Sequence, residues 1–279
     1  SLGGICLNWG CIPTKALLKS AQVFEYLKHA SDYGITVGEA KPDFSAIVKR
    51  SRNVADGMSK GVQFLMKKNK IDVLKGTGKI TKNKRVSVTD SNGKVEELEA
   101  GNIILSVGAR SRELPNLKID GKKIIGYREA MILDKQPKSM VVIGSGAIGS
   151  EFAYFYQTLG TKVTLIEMLP NILPLEDEEV SKQLERSFKK MGMEIMTDAV
   201  VDLVDTSGNG CKVTIKTKNG SASFDSAQDR SLTTGGQGAQ YAYEWRWEGH
   251  IPSGTYFYLV ETRKGSETLR TRGKVFVVR

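Results

Sequence analysis

Residues 140–160 read MVVIGSGAIGSEFAYFYQTLG. An apolar run, Met140 to Ile143, stops at a glycine, and the stretch reads as strand, tight turn and helix. The letters between spell G-x-G-x-x-G: Gly144, Ser145, Gly146, Ala147, Ile148, Gly149. Each glycine has its own reason in a strand–turn–helix. Gly144 permits the tight turn, Gly146 lets a pyrophosphate approach the backbone, and Gly149 lets the helix pack close to the strand. The helix N-terminus favours the negative charge. The next apolar run, KVTLIEM, ends on an acid, Glu167, about twenty residues further on, which is the remaining part of a dinucleotide fingerprint. A carboxylate there accepts hydrogen bonds from the adenosine ribose and repels a 2′-phosphate, which points to NAD over NADP. The same letters in a bare glycine turn with a surface glutamate would carry no such meaning.

Outward from this stretch the chain alternates. DEEVSKQLERSFKKMG (177–192) reads as an acidic-to-basic helix matched to its own dipole, and MEIMTDAVVDLVDT and CKVTIKTKNG read as strands. Upstream, CIPTKALLKSAQVFEYLKHA (11–30) reads as a helix with Pro13 in its first turn. DFSAIVKRSRNVADGMSKGVQFLMKKN (43–69) reads as a second one, with Asp43 as N-cap and Ile47, Val54, Met58, Val62 and Leu65 as its buried stripe. IDVLKG, RVSVTD and KVEELEA read as short strands around a turn at SNGK. NIILSVGA (102–109) is nearly continuous in apolar residues, as a buried strand is. The pattern predicts an α/β fold with a doubly wound parallel sheet. Residues 221–240 are rich in Ser, Gly, Gln and Asp and predict a linker, and 241–279, aromatic and β-branched with a turn at RKGS, predict a β-meander.

The 279 residues suffice for one large domain or two ordinary ones, and no apolar run is long enough to span a bilayer. The net charge of +10 is spread over KRSR, MKKNK, TKNKR and SFKK among acids, with no interleaved aromatics to stack bases, so nucleic acid is not the expected partner. Three cysteines are an odd count in a long chain, which argues against a secreted disulfide framework and for a cytoplasmic protein. The chain opens at Ser1 directly on its richest motif, which suggests further sequence upstream.

That motif is CLNWGC, residues 6–11. A zinc site needs two more ligands, and Cys211, His29 and His250 show no ligand spacing. A structural disulfide between Cys6 and Cys11 closes almost no loop and would stabilise little. A redox pair suits the setting better. Cys11 stands just before a Pro-initiated helix, whose positive end and Lys15, one turn on, both favour a thiolate. Gly3 and Gly4 allow something flat and bulky to approach the backbone. Cys211, alone in a strand-like stretch, reads as a small semi-buried residue.

GGICLNWGCIPTKALL (3–18) resembles the active-site segment of the FAD-dependent pyridine-nucleotide disulfide oxidoreductases. Leu7, Ile12 and Thr14 fit its dihydrolipoamide-oxidising branch better than the glutathione- or mercuric-reductase branches. The likeness runs from Ser1 to about Gly220. It implies a partial FAD-binding domain over 1–137 and a partial NAD-binding Rossmann domain over 138–220. It further implies that Cys6 is the thiol that exchanges with the substrate, Cys11 the thiol stacked on the flavin, Lys15 a neighbour of the isoalloxazine and Glu151 its ion-pair partner on the nicotinamide side. Gly76 and Gly78 match a stretch passing the FAD adenine. Val107, Gly108 and Ala109 match a cofactor segment in which Val107 replaces the usual Thr, and Val200 matches a contact to the NAD adenine. Electrons would run from dihydrolipoamide through the Cys6–Cys11 disulfide and FAD to NAD. The implied partners are lipoyl domains of 2-oxoacid dehydrogenase complexes and a second copy of the chain.

The family's own FAD glycine turn, its later Gly-Asp segment and its dimerisation domain with a His-Glu base are not in this sequence, and neither His29 nor His250 replaces the base. The expectation is an impaired or inactive chain. The tail, WEGHIPSGTYFYLVETRKG to RGKVFVVR, resembles the C-terminal β-domain of Bacteroidetes gliding-motility and type IX secreted proteins. That implies a fusion or join within 221–240. It leaves an alternative function: a non-catalytic fragment with a secreted or surface sorting module.

Overall fold

The computed structural model describes residues 2–83, 85–109, 111, 114 and 116–217, and the backbone of strands at 220–225, 230–234, 255–264 and 267–276. Three helices come first: α1 (Gly4–Trp9), α2 (Cys11–Lys28) and α3 (Phe44–Lys68). Then follow β1 (Thr77–Ile80), β2 (Val86–Thr89), β3 (Val95–Leu98), β4 (Ile124–Ile125) and α4 (Tyr127–Ala130). The dinucleotide stretch forms β5 (Ser139–Ile143) and α5 (Ala147–Thr158), and β6 (Lys162–Ile166), α6 (Glu178–Lys190) and β7 (Glu194–Met196) continue it. Last come β8 (Ala199–Asp205), β9 (Lys212–Thr217), β10 (Gly220–Asp225), β11 (Arg230–Thr234), β12 (Thr255–Lys264) and β13 (Glu267–Phe276).

The chain divides into two units: Ser1–Cys6 with Asp56–Ala109 and His250–Arg279, and Leu7–Ala55 with Arg110–Gly249. This differs from a boundary near residue 137, because the helix headed by Cys11 belongs with the dinucleotide sheet.

In the second unit five strands lie in the order β4-β11-β5-β6-β7, every pair parallel. From β5 the chain moves one way to β6 and β7 and later returns on the other side as β11. Strand order therefore reverses at β5, the position where open α/β sheets bind ligands. Side chains alternate along β5. Met140 and Val142 enter a core with Leu17, Phe152, Phe155 and Tyr156, while Val141 enters one on the opposite face with Ile166, Val213 and Ile215. Burial on both faces explains the unbroken apolar run. The buried Tyr156 hydroxyl donates to Ala130 O at 2.5 Å. Between β7 and β11 the chain makes an antiparallel sheet, β8-β9-β10, whose first pairing carries a bulge between Val201 and Leu203.

Within the linker expected over 221–240, residues 221–225 and 230–234 instead form strands, while 226–229 and 235–240 lie outside the described residues. β10 pairs with β9, and β11 joins β5 from Arg230↔Ser139 to Thr234↔Ile143. RSLTT has a single aliphatic residue, so no apolar period marked it as a strand. Its place comes from the backbone hydrogen bonds that β4 and β5 offer on either side.

The first unit holds the antiparallel sheet β1-β2-β3 and the hairpin β12-β13. The antiparallel register of β12 and β13 runs from Thr255↔Phe276 to Lys264↔Glu267, and the turn expected at RKGS includes 265–266, which lie outside the described residues. The described part of the tail is this antiparallel pair, and the rest of the expected meander, 241–254, lies outside the described residues. Two expected strands are absent. IDVLKG and NIILSVGA take no strand conformation, and Ile104 and Val107 are 69% and 48% exposed. A buried strand exists only where neighbours complete its ladder, and the described sheets do not include either run.

The stripe of α3 also differs. Asp43 caps as expected, its Oδ1 accepting from Ala46 N at 2.9 Å. Val54, Met58 and Leu65 are exposed, however, while Phe44, Ser51, Ala55 and Ser59 are buried. The buried face is a neighbouring helical stripe, and it is lined by small residues that a search for large apolar ones passes over.

Candidate functional site

The glycine turn at the end of β5 is built by its neighbours. Gly144 takes φ +91°, a left-handed conformation that favours glycine, and its N–H donates to Ile166 O at 2.8 Å. A Cβ on Gly149 would lie 1.9 Å from Gly144 O, so only glycine lets α5 start this close to β5. Gly146 is the N-cap of α5, and its own carbonyl accepts from Ser150 N at 2.9 Å. Ala147 and Ile148, the first residues of α5, are exposed.

Glu167 follows β6 and is buried. Ser145 donates to its Oε2 twice, from the backbone N–H at 2.8 Å and the hydroxyl at 2.7 Å, and Leu169 N donates to its Oε1 at 3.0 Å. Ser145, a candidate cofactor contact as part of the fingerprint, turns both of its donors toward Glu167. Val200 is half-exposed on β8.

Cys11 is the first residue of α2 and is exposed, at the positive end of an 18-residue helix. Cys6, in α1, is half-buried, and the pair stands as two thiols. One turn into α2, Lys15 Nζ makes an ion pair with Glu151 Oε1 of α5. Near the far end of α2, Lys28 Nζ donates to Thr158 O of α5 at 2.8 Å. The helix headed by Cys11 is thus tied to α5 twice.

Trp9 lies between the two cysteines in CLNWGC, a position that no sequence motif explains. The Arg52 guanidinium lies 4.5 Å from its ring centroid and that of Arg128 5.6 Å away, while Arg52 also donates to Asn8 O at 2.6 Å. No spacing signals this arrangement, because the two arginines come from α3 and α4.

The remaining candidates lie in the first unit. Gly3 and Gly4 have φ +98° and +63°, and Gly108 has φ +74°. Val107 is exposed, and Ala109 follows Gly108 half-buried. Gly76 has a structural duty, since a Cβ there would lie 2.4 Å from Thr89 O of β2, whereas one on Gly78 would meet nothing within 4 Å. Cys211 is buried against β8 and β9, and burial pushes its thiol up, with nearby Lys123 opposing. Among the described residues no cluster of His, Cys, Asp and Glu could hold a metal ion, and no helix is long and apolar enough to cross a membrane.

A glycine turn at a strand-order reversal, a buried acid at the end of the next strand and a cysteine-headed helix tied to the turn's helix meet in the second unit. The chain belongs to the pyridine nucleotide-disulphide oxidoreductase family, whose model matches residues 1–236. It is 50% identical over 199 residues to dihydrolipoyl dehydrogenase of Chlorobaculum parvum, covering 71% of this chain and 42% of the relative. It is 45% identical over 221 residues to that of Zymomonas mobilis, covering 78% and 47%. The fold is similar to the crystal structure of LpdA from Mycobacterium tuberculosis, with TM-score 0.74, 27% identity and coverage of 84% of this chain and 50% of that one. The chain spans about half the length of the curated relatives it matches. The family match runs past Gly220 and through β11, in agreement with the strands found there.

The family uses FAD and NAD, and the residues at the glycine turn fit the latter. Glu167 has one Oε1 acceptor position open beside a glycine turn at a helix N-terminus. Gly78 offers an open backbone face.

Proposed function

We propose that the chain carries the redox-dithiol and NAD-binding parts of a dihydrolipoyl dehydrogenase-type oxidoreductase. The overall reaction oxidises dihydrolipoamide to its cyclic disulfide and reduces NAD⁺ to NADH with release of a proton. The observation that carries the reading is the Lys15–Glu151 pair, which joins the helix headed by Cys11 to the helix that opens the dinucleotide site.

In its oxidised form the Cys6–Cys11 disulfide receives a substrate thiolate at Cys6 Sγ. The S–S bond breaks and Cys11 leaves as a thiolate, a departure that the α2 N-terminus favours. The second substrate sulfur then displaces Cys6, closing the product disulfide. Gly3, Gly4, Gly78 and residues 107–109 would hold FAD, which would supply two-electron transfer between the dithiol and nicotinamide. Lys15, with Glu151 as counter-charge, holds a fixed positive charge one turn from Cys11. Gly144–Gly149 seat the pyrophosphate, and Glu167 binds the ribose. Lipoyl domains are the proposed source of the dithiol, a second copy the proposed dimer partner and the cytoplasm the proposed compartment. For 241–279, beyond the family match, the proposed β-module of a secreted protein rests on the sequence resemblance, and β12 and β13 are its described strands.

The test is a visible spectrum of the chain after FAD incubation and desalting, with and without dihydrolipoamide. A retained flavin band that gains a long-wavelength shoulder, lost in Cys11→Ser, is the expected result. A shoulder that survives Cys11→Ser refutes the assignment of Cys11, and a chain binding neither FAD nor NADH refutes the whole reading.

A further inference from the structure

Ser145 is fully buried, and all three of its polar groups are engaged. Its N–H and hydroxyl both donate to Glu167 Oε2. Its carbonyl accepts from Ser150 Oγ of α5 at 2.8 Å and from Leu173 N at 3.1 Å. Leu173 sits at φ +45°, a left-handed conformation that costs a leucine energy, and that backbone aims its N–H at Ser145. The turn, the first helical turn of α5, the end of β6 and the 168–177 loop therefore meet at one residue.

A carboxylate offers about four acceptor positions. Three on Glu167 are filled by protein donors, two on Oε2 and one, from Leu169 N, on Oε1. Since Glu167 is only 6% exposed, it has little freedom to swing, and one Oε1 position is left for a ligand hydroxyl. We infer that Ser145 is a positioning residue that sets nucleotide choice: it pins Glu167 so that its one open acceptor meets a ribose hydroxyl and its charge cannot withdraw from a 2′-phosphate. The inference rests on the proposed NAD site. Ser145 itself touches no nucleotide, because both of its donors point to Glu167.

The test titrates the 279-residue chain with NADH and with NADPH, for wild type, Ser145→Ala, Glu167→Gln and the double variant. Loss of a hydrogen bond to a charged group predicts NADH binding about tenfold weaker in Ser145→Ala. NADPH binding should hold or improve, so the preference ratio falls about tenfold. In the Glu167→Gln background Ser145→Ala should change that ratio less than about twofold, as coupled residues do. Equal weakening of both nucleotides, or an unchanged ratio in a wild type that does prefer NADH, overturns the inference and leaves the NAD site standing. A wild type with no preference for NADH overturns both. If Ser145→Ala does not fold, amide exchange on unliganded wild type decides: slow exchange at Ser145 and Leu169 is expected, and solvent-like exchange at both refutes the pinned carboxylate.

Discussion

Replacing Gly149 with alanine sets one methyl group against the turn. The new Cβ would lie 1.9 Å from Gly144 O, 3.1 Å from Gly144 C and 3.4 Å from Val142 Cγ1. Ordinary contact at the carbonyl oxygen requires about 1.5 Å of movement, and what must move is backbone. Overpacking of this kind costs about 1–3 kcal/mol. Displacing Gly144 also threatens its bond to Ile166 O, worth about 1 kcal/mol. The helix preference of alanine over glycine returns at most about 1 kcal/mol. The net loss is about 2 kcal/mol, or roughly 4–8 °C in the melting midpoint of a unit this size. Far-UV circular dichroism melting measures it, with Gly57→Ala as control. Gly57 is inside α3 with nothing within 4 Å of its Cβ position, so the same substitution there should stabilise by up to about 1 kcal/mol. A Gly149→Ala variant as stable as wild type, with unweakened NADH binding, would refute the steric account of the turn.

Lys15→Met removes an ion pair whose lysine is 61% exposed, so stability should change by less than about 1 kcal/mol, whereas NADH-driven reduction of the FAD-loaded chain should slow at least about tenfold. A large drop in melting midpoint with an unchanged rate would make the pair structural instead. Cys211 holds its proton more tightly when folded, so the unfolded chain ionises first and stability falls as pH rises above about 8.5. Urea midpoints at pH 7.5 and 10 should diverge more in wild type than in Cys211→Val, and equal divergence refutes this. Iodoacetamide should label exposed Cys11 quickly and buried Cys211 only on unfolding, as peptide mapping reads directly.

Much of the second unit was legible along the chain. The glycine turn, its strand and helix, the acid at Glu167, the cysteine-headed helix and the Asp43 cap are local patterns: spacing, caps and apolar runs act over a few residues, so their letters suffice. The family likeness added Lys15 and Glu151 as partners, which no local pattern could, since they lie 136 residues apart. Other features depend on what lies beside them. RSLTT becomes β11 because β4 and β5 present unfilled backbone groups on either side, whereas NIILSVGA, far more strand-like in composition, takes no strand form in the described sheets. The face that α3 buries carries the small residues Ser51, Ala55 and Ser59 rather than its large Val54, Met58 and Leu65. The locking of Ser145 to Glu167 and the flanking of Trp9 by Arg52 and Arg128 are likewise tertiary. Hydrogen bonds and ring contacts between distant segments exist only after the chain has brought their partners together, so the chain order of residues records the parts of this site, and packing decides what each part does.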